Sequence, residues 1–363
     1  MKILVINTVP TDRNGITNVI FNYLKAIVDG VNFDYVTINL PDKFYYRFLD
    51  TKGVTLYTLK RRNVLGYMGA LYKIIKKNKY AAIHVHGNSH TVVLELLAAK
   101  LAGCKVRIIH AHSTGCKSVA LHKLLAAPFN WLCTHRLACG EKAGRFMFGS
   151  MPFKIVNNGV DVVKYSFDND QRIVLRAKMA LSESNILIGH VGTFLPVKNQ
   201  NFLVDVFAEL ARNDSRYRLV LIGDGYMRPE IEQKVTSLGL SNKVTFTGNI
   251  DNVSEYLNAI DLIVMPSLYE GLPLSLVEQQ ANGLQCVVSD TITTEADKTG
   301  NLSFLSLHAP ISDWVHAIES SNCMHNREQR SKDAVIAIEN AGYSIQAEAM
   351  KLVEFYETIC CQN

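Results

Sequence analysis

The chain has 363 residues, 48% of them apolar, 20% charged and 9% aromatic, with 22 Gly and 9 Pro. This is the profile of a globular protein long enough for two domains, and it excludes a disordered or collagen-like chain. The formal net charge of +5 conceals an uneven split: residues 1–160 carry 22 Lys and Arg against 7 Asp and Glu, a net of +15, and residues 161–363 carry 16 against 26, a net of −10.

KILVIN (2–7) predicts a strand rather than a signal peptide, because the apolar run is short and soon meets Pro10, Asp12 and Arg13. NGITNVIFNYLKAIVDG (14–30) predicts a helix from near Gly15, and FDYVTIN a second strand. AAIHVHG (81–87), KVRIIHAHS (105–113) and HRLACG (135–140) read as strands, separated or followed by helices over 90–103 and near 141–149. KIVNNGVD (154–161) closes this half, with a hinge expected around 157–160 and a polar linker over 163–184. The pattern then restarts. NILIGHVGTF (185–194), YRLVLIGDG (217–225), KVTFTGN, DLIVMPS and QCVVSD are strands with helices between them, and the end of the chain from about 341 is helical by period. Near-continuous apolar strands alternating with amphipathic helices predict two α/β, doubly wound parallel-sheet domains. The expected boundaries are 1–160, 161–340 and a terminal helix over 341–363.

No window reaches about 18 uncharged apolar residues; the nearest, 90–109, is broken by Glu95, Lys100 and Lys105. The eight cysteines (Cys104, Cys116, Cys133, Cys139, Cys286, Cys323, Cys360 and Cys361) include no CxxC pair and no zinc or disulfide spacing. Scattered free thiols fit a cytoplasmic protein. The basic half should attract an anionic partner. Lys60, Arg61, Arg62, Lys73, Lys76, Lys77 and Lys79 surround Val64, Leu65, Tyr67, Met68, Leu71, Tyr72, Ile74 and Ile75. Such a segment is either a basic amphipathic helix lying on an anionic membrane or a solvated helix whose apolar side packs on a sheet. The charge of the whole half favours a peripheral membrane contact, and no nucleic-acid recognition motif is present.

Open α/β sheets bind ligands beyond the carboxyl ends of their strands. The most informative segment, PSLYEGLPLSLVEQQANGLQCVVSD (266–290), has that form. A strand ends near Ser267, a loop carries Glu270 and Gly271, Pro273 suits the first helical position, and Gly283 ends the helix. The free N–H groups near Leu272, Leu274 and Ser275 suit an anion, and Glu270 and Glu278 suit sugar hydroxyls better than phosphate. An ordinary strand–loop–helix unit with surface Glu is the plainer reading. Five histidines, His84, His86, His90, His110 and His112, follow two strands. No Cys or carboxylate joins them at ligand spacing, so no metal site is expected.

EGLPLSLVE resembles the E-x7-E signature of retaining GT-B glycosyltransferases, glycosyltransferase family 4, the group 1 enzymes of bacterial polysaccharide assembly. NNGVD (157–161), VGTFLPVKN (191–199), LIGDG (221–225), VTFTGN (244–249), VVSD (287–290) and RIIHAHS (107–113) resemble further family segments in the expected order. The resemblance implies two Rossmann-like domains facing a cleft and a retaining hexosyltransferase. Its donor would be a nucleotide sugar, UDP-linked, used as substrate with no cofactor. Its acceptor would be a lipid-linked saccharide in capsule or exopolysaccharide assembly. Glu278 would bind the ribose, Glu270 the donor sugar, and Lys198 the diphosphate. Gly271, Leu272, Pro273 and Leu274 would line the sugar and diphosphate; Gly15, Thr193, Gly223, Gly225, Thr247 and Gly248 complete the donor set. Asn14, Gly15, His110 and His112 would face the acceptor, with His112, or alternatively His110, near the reacting centre with Glu270 and Lys198. The family places Arg five residues before the Lys, where this chain has Thr193, which has no guanidinium fork; Arg228 is a candidate substitute. A nucleotide-sugar epimerase and a non-catalytic nucleotide-sugar or glycan-binding subunit are the competing readings.

Overall fold

The computed structural model describes residues 1–27, 30–321 and 326–361; Cys323, residues 28–29 of the first expected helix and the last two residues lie outside them. The chain divides into two compact units, Met1–Gly159 with Gly342–Asn363, and Val160–Ala341.

In the first unit β1 (Lys2–Asn7), α1 (Gly15–Ala26), β2 (Asn32–Thr37), α2 (Lys43–Thr51), β3 (Thr55–Thr58) and α3 (Val64–Asn78) come first. Then follow β4 (Ala82–Gly87), α4 (Val93–Leu101), β5 (Val106–Ala111), α5 (Val119–Leu124), α6 (Ala126–Leu132), β6 (His135–Ala138), α7 (Glu141–Phe148) and β7 (Lys154–Ile155). The seven strands form one sheet in the order β3-β2-β1-β4-β5-β6-β7, and every pair is parallel. β4 and β5 are buried along their whole length, as near-continuous apolar strands covered on both faces must be. The short edge strand β3 and helix α2 were not expected from the sequence.

The second unit runs α8 (Val162–Tyr165), α9 (Asn169–Lys178), β8 (Ile186–Val191), α10 (Gln200–Asn213), β9 (Tyr217–Ile222) and α11 (Arg228–Ser237). It continues with β10 (Val244–Gly248), α12 (Val253–Ala259), β11 (Leu262–Met265), α13 (Leu274–Ala281), β12 (Gln285–Ser289), β13 (Leu302–Leu305), α14 (Ile311–Glu319) and α15 (Arg327–Asn340). Its six parallel strands are ordered β10-β9-β8-β11-β12-β13. Both sheets are therefore doubly wound α/β, with strand order reversing between β1 and β4 in one and between β8 and β11 in the other. One face of the second sheet packs Phe194, Phe207, Leu210 and Trp314, and the other Leu257, Ile260, Leu276 and Val288. Each such fully buried side chain contributes about 1.5–3 kcal/mol relative to an exposed one.

The last helix, α16 (Ile345–Cys361), belongs to the first unit and packs on α1. Gly342 (φ 79°) turns the chain, and its carbonyl accepts from Asn157 Nδ2 at 3.0 Å. Asn157 N donates to Glu348 Oε2 at 3.2 Å, and Tyr23 Oη donates to the Asn157 carbonyl at 2.5 Å. A Cβ on Gly159 would lie 2.7 Å from the Ile345 Cα. Within the first unit, the segment before Val160 and the segment from Gly342 on are thus fastened to each other.

Residues 163–184 are not a linker. Asp168 caps α9 through Gln171 N at 3.0 Å. From α9, Arg172 and Arg176 reach the buried Asp261 at 2.5 and 3.0 Å, and Asp261 also accepts from Leu187 N at 2.7 Å. The segment reads as polar because its arginines are spent on carbonyls and this one carboxylate. In the first unit Arg61 is likewise committed, to the fully buried Glu95, which also accepts from Tyr67 Oη at 2.7 Å. Of the basic segment, α3 holds only 64–78. Its Tyr67, Leu71 and Ile75 pack inward, while Lys73, Lys76 and Lys77 are exposed together with Leu65 and Tyr72. Among the described residues no helix is long and apolar enough to cross a membrane.

Asp261→Ala leaves two guanidinium groups and a strand N–H without their carboxylate. Denaturant titration should show a loss of about 3–5 kcal/mol, far beyond that of an exposed control such as Glu328→Ala.

Candidate functional site

In a doubly wound sheet the crevice opens where strand order reverses. In the second unit that point lies between β8 and β11, so the loops 192–199 and 266–273 flank it. The first loop is shaped by glycine. Gly192 N bonds the Ile222 carbonyl at 2.9 Å, and Phe194 N the Asp224 carbonyl at 3.0 Å. A Cβ on Gly223 (φ 133°) would lie 2.2 Å from Gly192 O, and one on Gly225 2.5 Å from Phe194 O. Only hydrogen at these two Cα atoms lets the strands' ends approach so closely. Gly223 N in turn bonds Gly248 O at 3.0 Å, which places Thr247 and Gly248 (φ 68°) beside the same turn.

The loop then makes one 3-10 turn, Pro196–Lys198. Leu268 N donates to Val197 O at 2.8 Å, tying the second loop to the first. On that tie Lys198 Nζ meets Glu270 Oε1 at 2.5 Å, both side chains largely buried. Residues 72 apart in sequence thus form one ion pair at the reversal point. Exposed Gly271, half-buried Leu272 and buried Pro273 lead into α13. Pro273, expected at the first helical position, is instead the N-cap (φ −73°, ψ 108°), one residue before the helix, and no side chain caps it. The helix begins at Leu274 because Leu276 N already bonds the Pro273 carbonyl. Gly283 (φ 71°) follows its end, where a Cβ would lie 2.7 Å from the backbone of Arg327 and Ser331.

Glu278, one turn into α13, hydrogen-bonds Tyr165 of α8, and burial pushes its carboxyl up to about 7. The tyrosine partner was not found from sequence, since no spacing links residues so far apart. Thr193 is exposed, and its carbonyl accepts from buried Gln200 Nε2 at 3.1 Å. Arg228 is held by Glu232 at 2.7 Å and Asp224 at 3.4 Å, next to Gly248; its charge is already shared by two carboxylates. His190, also unforeseen, lies fully buried at the end of β8. It bonds the Val264 carbonyl at 2.9 Å, and burial lowers its pKa to about 4.

The first unit collects the other group of expected site residues. Asn14 caps α1 through Thr17 N at 3.0 Å, and Gly15 is its exposed first residue. His112 is half-buried, with Nε2 2.9 Å from His86 Nδ1. Buried His110 stacks on His112 at 4.3 Å. Burial depresses the pKa of both, so the imidazoles are neutral near pH 7. His90 is taken up by the core, bonding the His122 and Met147 carbonyls.

Residues 171–301 match the family model "Glycosyl transferases group 1". A putative glycosyltransferase EpsF of Bacillus subtilis is 32% identical over 366 residues, 95% of this chain and 94% of that protein. An Escherichia coli UDP-Gal:alpha-D-GlcNAc-diphosphoundecaprenol alpha-1,3-galactosyltransferase is 30% identical over 61% of this chain and 60% of its own. The Anabaena HepE structure in complex with UDP superposes with a TM-score of 0.78 over 99% of this chain and 100% of its own, at 18% identity, which is a likeness of fold. With the glycine-tight loops, the Lys198–Glu270 pair and the similarity to EpsF along nearly the whole chain, this protein belongs to the group 1 glycosyltransferases.

Proposed function

We propose that the protein transfers a hexose, with retention at the anomeric carbon, from a UDP-linked donor to a hydroxyl of a lipid-linked saccharide in bacterial surface polysaccharide assembly. The observation that carries this reading is the Lys198–Glu270 pair at the β8/β11 reversal point, beside a helix start with no side-chain cap. An ammonium, free helix N–H groups and a carboxylate at one place suit a diphosphate and a sugar together. The donor is a substrate, and no cofactor takes part. The E. coli relative's named donor and acceptor support the choice of UDP and of a lipid-linked saccharide.

In this reading the donor's diphosphate takes Lys198 from Glu270, and the freed carboxylate accepts from the sugar hydroxyls. Gly223, Gly225, Thr247 and Gly248 line the nucleotide through backbone contacts, and Glu278 accepts from the ribose. As the bond from the anomeric carbon to phosphate oxygen breaks, positive charge grows on the sugar ring and negative charge on the diphosphate. Lys198 stabilises the latter where it develops. The acceptor oxygen bonds the anomeric carbon on the same face, and its proton passes to the departing phosphate oxygen. Asn14, Gly15 and His112 serve the acceptor side, with His112 as a neutral hydrogen-bonding group backed by the buried His110 that stacks on it. The protein works in the cytoplasm at the inner face of the membrane, and the exposed Lys73, Lys76 and Lys77 of α3 support an anionic lipid contact.

Lys198→Ala should lower kcat about 10²–10³-fold, and Glu270→Ala should abolish transfer, both with the fold intact by circular dichroism. A wild-type protein that binds the nucleotide sugar but forms no product would favour a binding subunit, for which Thr193 in place of Arg speaks. An isomerised donor without acceptor would favour an epimerase.

Glu278 gives a pH test. Its folded-state pKa of about 7 lies above the ordinary 4.5, so between these values the folded protein holds a proton that the unfolded chain has lost. The empty protein should therefore lose stability, by up to about 3 kcal/mol, as pH rises from about 4.5 to 7, and change little above. Denaturant titrations should show this slope, and Glu278→Gln should flatten it. Neutralising Lys73, Lys76 and Lys77 together should weaken sedimentation with anionic vesicles at low salt; unchanged binding would remove the α3 contact.

A further inference from the structure

We propose that His84, His86 and His110 form a buried site for one divalent transition-metal ion of the Zn²⁺ type in the core of the first unit. Strand geometry brings them together. His84 and His86 alternate onto one face of β4, and His110 is the register partner of His86 on β5, which adds a third imidazole to that face. One ring nitrogen from each lies within 4.8 Å of the others. All three side chains are buried, with 1%, 4% and 1% exposure.

Their hydrogen bonds leave ligand atoms over. His84 Nδ1 is 2.5 Å from Tyr356 Oη, and its Nε2 has no partner. His86 Nδ1 is engaged by His112, so Nε2 is its coordinating atom. His110 faces one backbone partner, Val156, which leaves its other ring nitrogen over. Buried polar nitrogens left in this state are costly and call for a partner. A cavity of about 20 Å³ touches these three histidines, walled otherwise by apolar side chains such as Val5, Ile20 and Phe33 and by Tyr23 and Tyr356. It has room for one small sphere.

The donor set selects the occupant. Burial keeps these imidazoles unprotonated, the form that binds metal. Three imidazoles without a carboxylate suit Zn²⁺, Co²⁺ or Ni²⁺ and not Mg²⁺ or Ca²⁺, which take oxygen. Tyr356 and His112 stand where outer partners fix the rings of ligating histidines. The His84 ring is stacked with those of His86 and His110, at 4.3 and 5.4 Å, so binding requires rotation about the soft terminal torsions to bring the nitrogens to the spacing of about 3.3 Å that Zn–N bonds of about 2.0 Å require. The ion would join β4 and β5 and, through Tyr356, α16. This inference does not rest on the proposed transferase function.

The full-length protein, stripped with a chelator and dialysed, is incubated with Zn²⁺ or Co²⁺ and freed of excess by gel filtration. The expected result is one metal per chain by mass spectrometry, a visible d–d band for tetrahedral Co²⁺, and a raised melting temperature. His110→Ala should abolish all three. Should that variant fail to fold, Tyr356→Phe, which keeps every ligand, should weaken Co²⁺ binding about 10–100-fold. Folded wild-type protein that retains no stoichiometric metal overturns the proposal and leaves the cavity to an ordered water. Metal held equally by wild type and folded variants also overturns it, since the ion then sits elsewhere.

Discussion

The second unit is organised by a backbone contact that no side chain could survive. The turn after β9 presses on the turn after β8 so closely that Gly223 and Gly225 have no room for a methyl group. That approach fixes the path of residues 192–198 and so the place where Lys198 leaves the sheet. The loop after β11 is fastened to this path by one hydrogen bond, Leu268 N to Val197 O, and Glu270 arrives as a consequence. The place of the Lys198–Glu270 pair is thus set by hydrogens on α-carbons several residues away.

Electrostatics in the molecule follow the same economy. The first 160 residues carry a net +15, but the positive charges are not equivalent. Arg61 is spent on a carboxylate inside the core, whereas the α3 lysines remain in water. In the second unit Lys198 and Glu270 neutralise each other. A ligand offering both an anion and hydroxyl donors can replace that pair without leaving either charge stranded. One offering only an anion frees a carboxylate beside itself and is penalised. In the proposed reading this is how a sugar nucleotide is preferred over a bare nucleotide.

Much of this was legible in the sequence because it is local. The order of strands, the doubly wound class and the loop–helix unit at 266–283 follow from apolar periodicity, a glycine at each sharp turn and the proline before α13. What depends on distant partners was not legible. Tyr165 finds Glu278, and Arg172 and Arg176 find Asp261, through tertiary packing alone, so 163–184 read as polar linker although these two arginines are consumed inside the fold. The edge strand β3, Thr55–Thr58, is short and only half-buried, too weak a pattern to stand out. The histidines show the same limit: spacing reveals i and i+2 on one strand, and only the β4–β5 register brings His110 alongside.

The return of α16 to the first unit bears on how the chain comes to be folded. Tyr356 and Leu352 close the histidine-lined cavity, and Glu348 receives Asn157 N. The amino-terminal sheet is translated before the second unit, yet α16, which covers one side of it, follows that unit in the chain. Until then α1 and the β4 histidines face solvent on that side, while the whole intervening unit can already be complete. The half begun first is therefore closed only after the intervening unit has been made, and a nascent chain halted before α16 would carry an open core on that side.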